Sequence, residues 1–204
     1  MLKKRKRSNL MEKKTAAESA TRTSTKSAPK QISVLMKVTA TALFAAMTTI
    51  CILLLHIPTG NQGYIHVADG VIYLAAAILP LPYAMLAGSI GGGLADLLAG
   101  SPSYIIPTVI IKAVIVLTFS SKNDKILTKR NLIAPVPSLV LTVVLYAVAG
   151  FAIDMLAGAT AQASLAGAVS GMPMNVLQGV ASAVLFYAVG AGLDKLGFKN
   201  KLKF

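Results

Sequence analysis

The sequence predicts an all-α integral membrane protein of six transmembrane helices, on three observations. Of its 204 residues 55% are apolar, enough for about six spans at ~20 residues each. The apolar residues gather into runs at about 34–56, 68–80, 82–99, 104–120, 134–157 and 172–193, broken by Gly, Pro and polar residues. The net charge of +13 falls almost entirely outside those runs. It collects at Lys3, Lys4, Arg5, Lys6 and Arg7, at Lys122, Lys125, Lys129 and Arg130, and at Lys195, Lys199, Lys201 and Lys203. The alternate connections, 57–67, 100–103 and 158–171, contain neither Lys nor Arg. By the positive-inside rule the three basic groups share the cytoplasmic side, so both termini are expected there. The charge therefore reads as topological, and no nucleic-acid partner is expected.

Three segments follow: a disordered basic cytoplasmic tail over 1–32, too poor in apolar residues to fold alone, a six-helix membrane domain over 33–195, and a basic cytoplasmic C-terminal tail over 196–204. The first apolar run is too long for a signal-peptide core and no A-x-A site follows it, so it is read as a retained helix. Ala40, Ala42, Ala45 and Ala46 give that helix a flat face of small residues, suited either to internal packing or to docking of another membrane protein. The second run is short for a span and is expected to tilt or re-enter. In the third, Gly88 and Gly92 form a GxxxG pair, for which close helix packing is the default. The fourth carries Lys112 about 12 Å from its outer end, at 1.5 Å per residue. The sixth opens on Met172-Pro-Met-Asn175-Val-Leu-Gln178, which puts Asn175 and Gln178 in its first turns.

Ionisable groups inside a bilayer-spanning helix cost roughly 2.5–3.5 kcal/mol each on insertion scales. Asp69, Asp96 and Lys112 all fall in one short stretch of chain, which marks a selected polar site. Asn61, Tyr64, His66 and Tyr104 in the outer connections, with Asn175 and Gln178, complete a cluster over an apolar floor, as a pocket open to the outside would. Each member has a plainer reading beside the binding one. Asp96 and Lys112 pair as ions between adjacent helices or touch a ligand. Asp69 caps the second helix or binds. Asn175 and Gln178 bond between helices or to a ligand. Asp154, near a helix end, reads as a hydrated interfacial residue.

Catalysis by this chain is not expected. Its two histidines, His56 and His66, lie away from any serine dyad, and the glycines lead to Gly93-Leu-Ala-Asp96 rather than to the GxGD of intramembrane aspartyl proteases. Cys51 is the single cysteine, so neither a disulfide nor a CxxC metal site forms. The sequence contains no GxxxxGK[ST] phosphate loop, and no cofactor is expected.

The segments Gly63-Tyr-Ile-His-Val-Ala-Asp69, Ala87-Gly-Ser-Ile-Gly-Gly-Gly-Leu-Ala-Asp96-Leu-Leu-Ala-Gly100, Thr108-Val-Ile-Ile-Lys112, Met172–Gln178 and Ala42-Leu-Phe-Ala-Ala46 resemble the substrate-binding (S) components of energy-coupling factor (ECF) vitamin transporters, in the riboflavin/hydroxymethylpyrimidine-type branch. The resemblance covers about 34–194. It implies a six-helix subunit of an ABC-type importer that binds a vitamin or precursor from outside. It also implies a membrane coupling subunit and two ABC ATPases as partners, with toppling in the membrane for release. Ala42 and Ala46 look like the family's AxxxA contact for the coupling subunit. With no tryptophan in the chain, Tyr64, Tyr73 and Tyr104 are the aromatic platforms, and a small polar heterocycle such as a pyrimidine, pyridoxine or a flavin precursor is the expected ligand. The rival reading is a stand-alone secondary transporter or a membrane regulatory or packing subunit; internal symmetry would favour the transporter, and none is evident.

Overall fold

A computed structural model describes residues 28–55, 57–58 and 64–202. Helix α1 runs Ala28–Leu54, so it begins inside the segment assigned to the basic tail. A two-residue antiparallel pair follows, β1 (Ile57–Pro58) with β2 (Tyr64–Ile65), registering Ile57 on Ile65 and Pro58 on Tyr64. Next come α2 (Asp69–Ile78), α3 (Leu81–Leu98), a 3-10 turn at Pro102–Tyr104 and α4 (Ile105–Val116). The chain closes with α5 (Lys129–Ile133), α6 (Pro135–Leu156), α7 (Ala161–Lys195) and α8 (Phe198–Lys201). The described residues from Lys37 onward form the helical bundle.

Among the described residues, four helical stretches are long and apolar enough to cross a bilayer: Ser33–Leu54, Leu81–Leu98, Pro135–Leu156 and Ala161–Lys195. The other two expected spans are shorter. Helix α2 has 10 residues, about 15 Å of helix against a hydrocarbon core of about 30 Å. Every one of those residues is buried, so α2 is a core helix sheathed by protein, which removes the need to match the bilayer. Helix α4 stops at Val116, short of the expected 120.

The connection expected over 158–171 is mostly helix. Gly158 ends α6 at φ 89°, a left-handed conformation that glycine takes without strain, while Ala159 N–H closes on Asp154 O at 3.0 Å. Thr160 then caps α7, its hydroxyl accepting from Ala163 N at 3.3 Å. The helix continues through Pro173 for 35 residues, so Asn175 and Gln178 sit near its middle rather than in its first turns.

Glycine spacing sets how closely the helices approach. The position a Cβ would take on Gly91 lies 2.7 Å from Ala45 O, and Thr49 Oγ1 donates to Gly91 O at 3.0 Å, so α3 meets α1 backbone to backbone. On the next face a Cβ on Gly92 would lie 2.9 Å from Thr108 and 3.1 Å from Lys112. The GxxxG face is thus a packing face for α4. Large apolar residues such as Leu43, Ile90, Val140, Val148 and Val184 point outward, as contact with lipid tails requires.

The basic connection after α4 is held by side chains bonded to backbone. Arg130 donates to the carbonyls of Leu117 and Thr118 at the end of α4, at 2.9 and 3.1 Å. Asn131 bonds both ways to Ser120 and donates to Ile126 O at 2.8 Å. The Asp194 carboxylate accepts from Ile126 N and Leu127 N at 2.7 and 2.9 Å. Lys199 joins Ala77 O and Ser121 O, both at 2.7 Å, and burial holds its ammonium below the usual lysine value. Phe198 and Leu202 pack on the bundle, so the C-terminal basic segment is folded back against it as far as it is described.

Candidate binding site

Asp69 opens α2, and it does not cap it. Ala68 holds the N-cap position without a side-chain bond, and the Asp69 carboxylate turns instead into the bundle. One oxygen, Oδ1, takes Lys112 Nζ of α4 at 2.5 Å, and Oδ2 accepts from Gln178 Nε2 of α7 at 3.0 Å. Gln178 Oε1 in turn accepts from the His66 backbone N–H at 3.3 Å, and His66 Nδ1 accepts from Ala68 N at 3.2 Å. Asp69 and Lys112 are both 0% exposed, Gln178 4% and His66 7%. A loop and three helices thus converge on one charge-neutral polar knot.

The salt-bridge partner of Lys112 is therefore Asp69, and not Asp96, with which one of the two sequence readings paired it. The reason is steric. With Gly88 and Gly92 lacking side chains, the Lys112 stem lies flat along α3 and its head passes that helix to reach the start of α2. There the N-terminal end of the α2 dipole adds positive potential that favours a carboxylate. Lys112 Nζ also lies 5.2 Å from the centroid of the Tyr146 ring, and the Tyr146 hydroxyl shares a 3.0 Å bond with Thr108.

Asp96 lies beside this network. It is buried on α3, and both it and Asp154 lie within electrostatic reach of the Tyr104 hydroxyl. Tyr104 reaches α6, where a Cβ on Gly150 would lie 3.5 Å from its hydroxyl, and Asp154 Oδ2 faces Gly167 of α7. Asn175 is half-buried, three residues before Gln178. Asn61 and His56 lie outside the described residues, and Tyr64 is described by its backbone alone. Among the expected residues, His66, Asp69, Lys112 and Gln178 form one network, and Asp96 lies within electrostatic reach of both Tyr104 and Tyr146.

Ser138, Thr142, Tyr146 and Ser182, polar residues of the same interior, escaped the sequence reading, which took Tyr73 only as an aromatic platform. Ser138, Thr142 and Tyr146 follow one another at four-residue spacing on α6, as do Gln178 and Ser182 on α7, and Asp69 and Tyr73 on α2. The signal was present as polar residues at helical period inside apolar runs. Single hydroxyls in such runs ordinarily bond to their own backbone and so attract no notice.

Compared with known families, the chain matches the model of the ECF-type riboflavin transporter S component over residues 33–195. It belongs to this family. Comparison with curated proteins gives no match. As an ECF S component, the chain is a multi-pass, membrane-embedded substrate-binding subunit for vitamin uptake, with a transport role. The match spans every element that builds the polar knot. In this S component Ala42 and Ala46 are exposed on α1, whereas Ala45 is buried against α3, so the small face does not serve internal packing at those two positions.

Proposed function

We propose that this S component captures riboflavin from outside a bacterial cell. Asp69, Lys112 and Gln178 form the base of the site, His66, Asp96, Tyr104 and Asn175 its wall, and Asn61 and Tyr64 contribute from the loop before α2. The exposed Ala42 and Ala46 face receives the membrane coupling subunit, which joins two ABC ATPases that supply the energy. The chain itself carries no catalytic step. One observation supports this reading above the rest: four polar side chains, two of them charged, meet inside the bundle at the start of α2. The riboflavin assignment follows from the family whose model matches.

Titrating the purified chain with riboflavin, and following flavin fluorescence, tests the ligand. Saturable quenching is expected. Asn175→Ala and Tyr104→Phe should each weaken it by about 5- to 150-fold, the cost of one hydrogen bond to a desolvated ligand. Saturable binding of a hydroxymethylpyrimidine or of pyridoxine, with none of riboflavin, would overturn the assignment.

Orientation has its own test. Cysteine placed at Gln162 in a Cys51→Ala background should react with an impermeant maleimide in intact cells, and cysteine at Asn123 should react only after lysis. Both positions are exposed in the fold, so accessibility reports the side of the membrane. Labelling of the 123 variant in intact cells would reverse the topology.

A further inference from the structure

A serine or threonine buried in a helix ordinarily donates to the carbonyl one turn back. Thr41, Thr48, Thr49 and Ser164 do so here, at 2.8 to 3.0 Å, onto Lys37, Phe44, Ala45 and Thr160. Ser138, Thr142 and Ser182 depart from that habit. Each is 0% exposed, and among the described residues its hydroxyl has no partner of normal hydrogen-bond geometry. The Tyr73 hydroxyl, equally buried, faces that of Ser138 across the helices and bonds to no backbone of its own. Four hydroxyls from three helices are thus withheld from local bonds, which is costly for buried polar groups unless something else engages them.

Their depth follows from the neighbours. Thr142 precedes Tyr146 by one turn of α6, so it lies about 6 Å deeper than the ring over which the Lys112 ammonium sits. Tyr73 and Ser182 follow Asp69 and Gln178 by one turn, about 6 Å deeper at 1.5 Å per residue. Below them an aromatic floor closes the interior: Tyr73 stacks on Phe119 at 4.7 Å, and Phe186 meets both rings edge-on at 6.1 and 5.4 Å. The seam thus has a charge-neutral roof, hydroxyl walls and an aromatic floor.

Hydroxyls both donate and accept, and they carry no charge. A phosphate or carboxylate would enter such a seam without a counter-ion, because Asp69 and Lys112 already neutralise each other. A neutral polyol matches the walls group for group. We propose that Tyr73, Ser138, Thr142 and Ser182 form a subsite for the polyhydroxyl chain of the ligand, one turn below the Asp69–Lys112 pair. This rests on the flavin reading above, with the ribityl chain entering the seam and the ring remaining at the level of Asn175 and Tyr104. Entry runs past Gln178, the neutral member of the roof, whose two hydrogen bonds are exchanged for bonds to the chain.

The experiment compares riboflavin with lumiflavin, the same ring bearing a methyl group in place of the ribityl chain. Binding is measured on the full chain and on Tyr73→Phe, Ser138→Ala, Thr142→Val and Ser182→Ala. Riboflavin affinity should fall about fivefold or more in the variants, while lumiflavin affinity changes less than about twofold. Thermal stability without ligand should stay level or rise in Thr142→Val and Ser182→Ala, since each removes an unsatisfied buried hydroxyl. Unchanged riboflavin affinity in all four variants would overturn the subsite, as would an equal loss for both flavins. If the wild-type chain binds neither flavin, the flavin reading falls and the subsite with it. If it binds riboflavin and the variants match it, only the subsite falls.

Discussion

Asp69→Asn and Lys112→Met, each alone, are expected to cost about 3–5 kcal/mol of stability, because each leaves a full charge buried without its counter-charge. Both side chains are 0% exposed, and water is not at hand to take over the lost interaction. The Asp69→Asn/Lys112→Met double variant should recover most of the loss, since an uncharged pair of similar volume has little desolvation to offset. Thermal unfolding of the detergent-solubilised chain checks both statements. Asp96→Asn is the control: it should show no stability coupling to Lys112→Met in a double-mutant cycle, because the ion pair is made with Asp69. Single variants as stable as the wild type would refute the buried pair. Riboflavin binding to the double variant then separates two roles. Affinity within about twofold of wild type makes the pair a scaffold, and a loss of about tenfold or more makes it a ligand contact.

Ala46→Trp should abolish uptake in cells while leaving riboflavin affinity of the solubilised chain within about twofold of wild type. Ala42 and Ala46 lie one turn apart on the exposed side of α1, and Ala45, Thr48 and Thr49 face inward. A tryptophan there meets nothing inside the bundle, so folding and binding are spared. It does block the close approach of a second helix, which small residues alone permit. Ala42→Trp should act in the same way. Leu43→Trp, at a neighbouring position that is 59% exposed, is the control and should transport normally. Uptake that survives both alanine replacements would show that this face meets only lipid.

Much of the fold was legible because membrane insertion imposes a one-dimensional rule. Apolar runs and the placement of Lys and Arg report spans and sides with little help from tertiary contacts. That rule found the long helices. It failed where protein replaces lipid as the solvent. Helix α2 is too short to span but is wholly enclosed, and the stretch after Gly158, full of Ala, Gly and Ser, looks like a connection yet continues α7 through Pro173. Neither is governed by bilayer thickness, so neither can be read from it.

The site divides along the same line. The sequence alone determined which residues are out of place: a lysine and two aspartates within apolar helices, an amide at each of two positions on α7, and a loop with tyrosine and histidine. Their insertion cost is local and depends on residue type. Tertiary structure alone decided the partners. Lys112 joins Asp69 rather than Asp96, because two glycines on α3 let its stem pass and the start of α2 offers a favourable potential. The seam of Tyr73, Ser138, Thr142 and Ser182 emerges only when three helices are set side by side. A hydroxyl in an apolar run costs little by itself, and whether it bonds to its own backbone or faces a neighbour is settled by the packing of the helices around it.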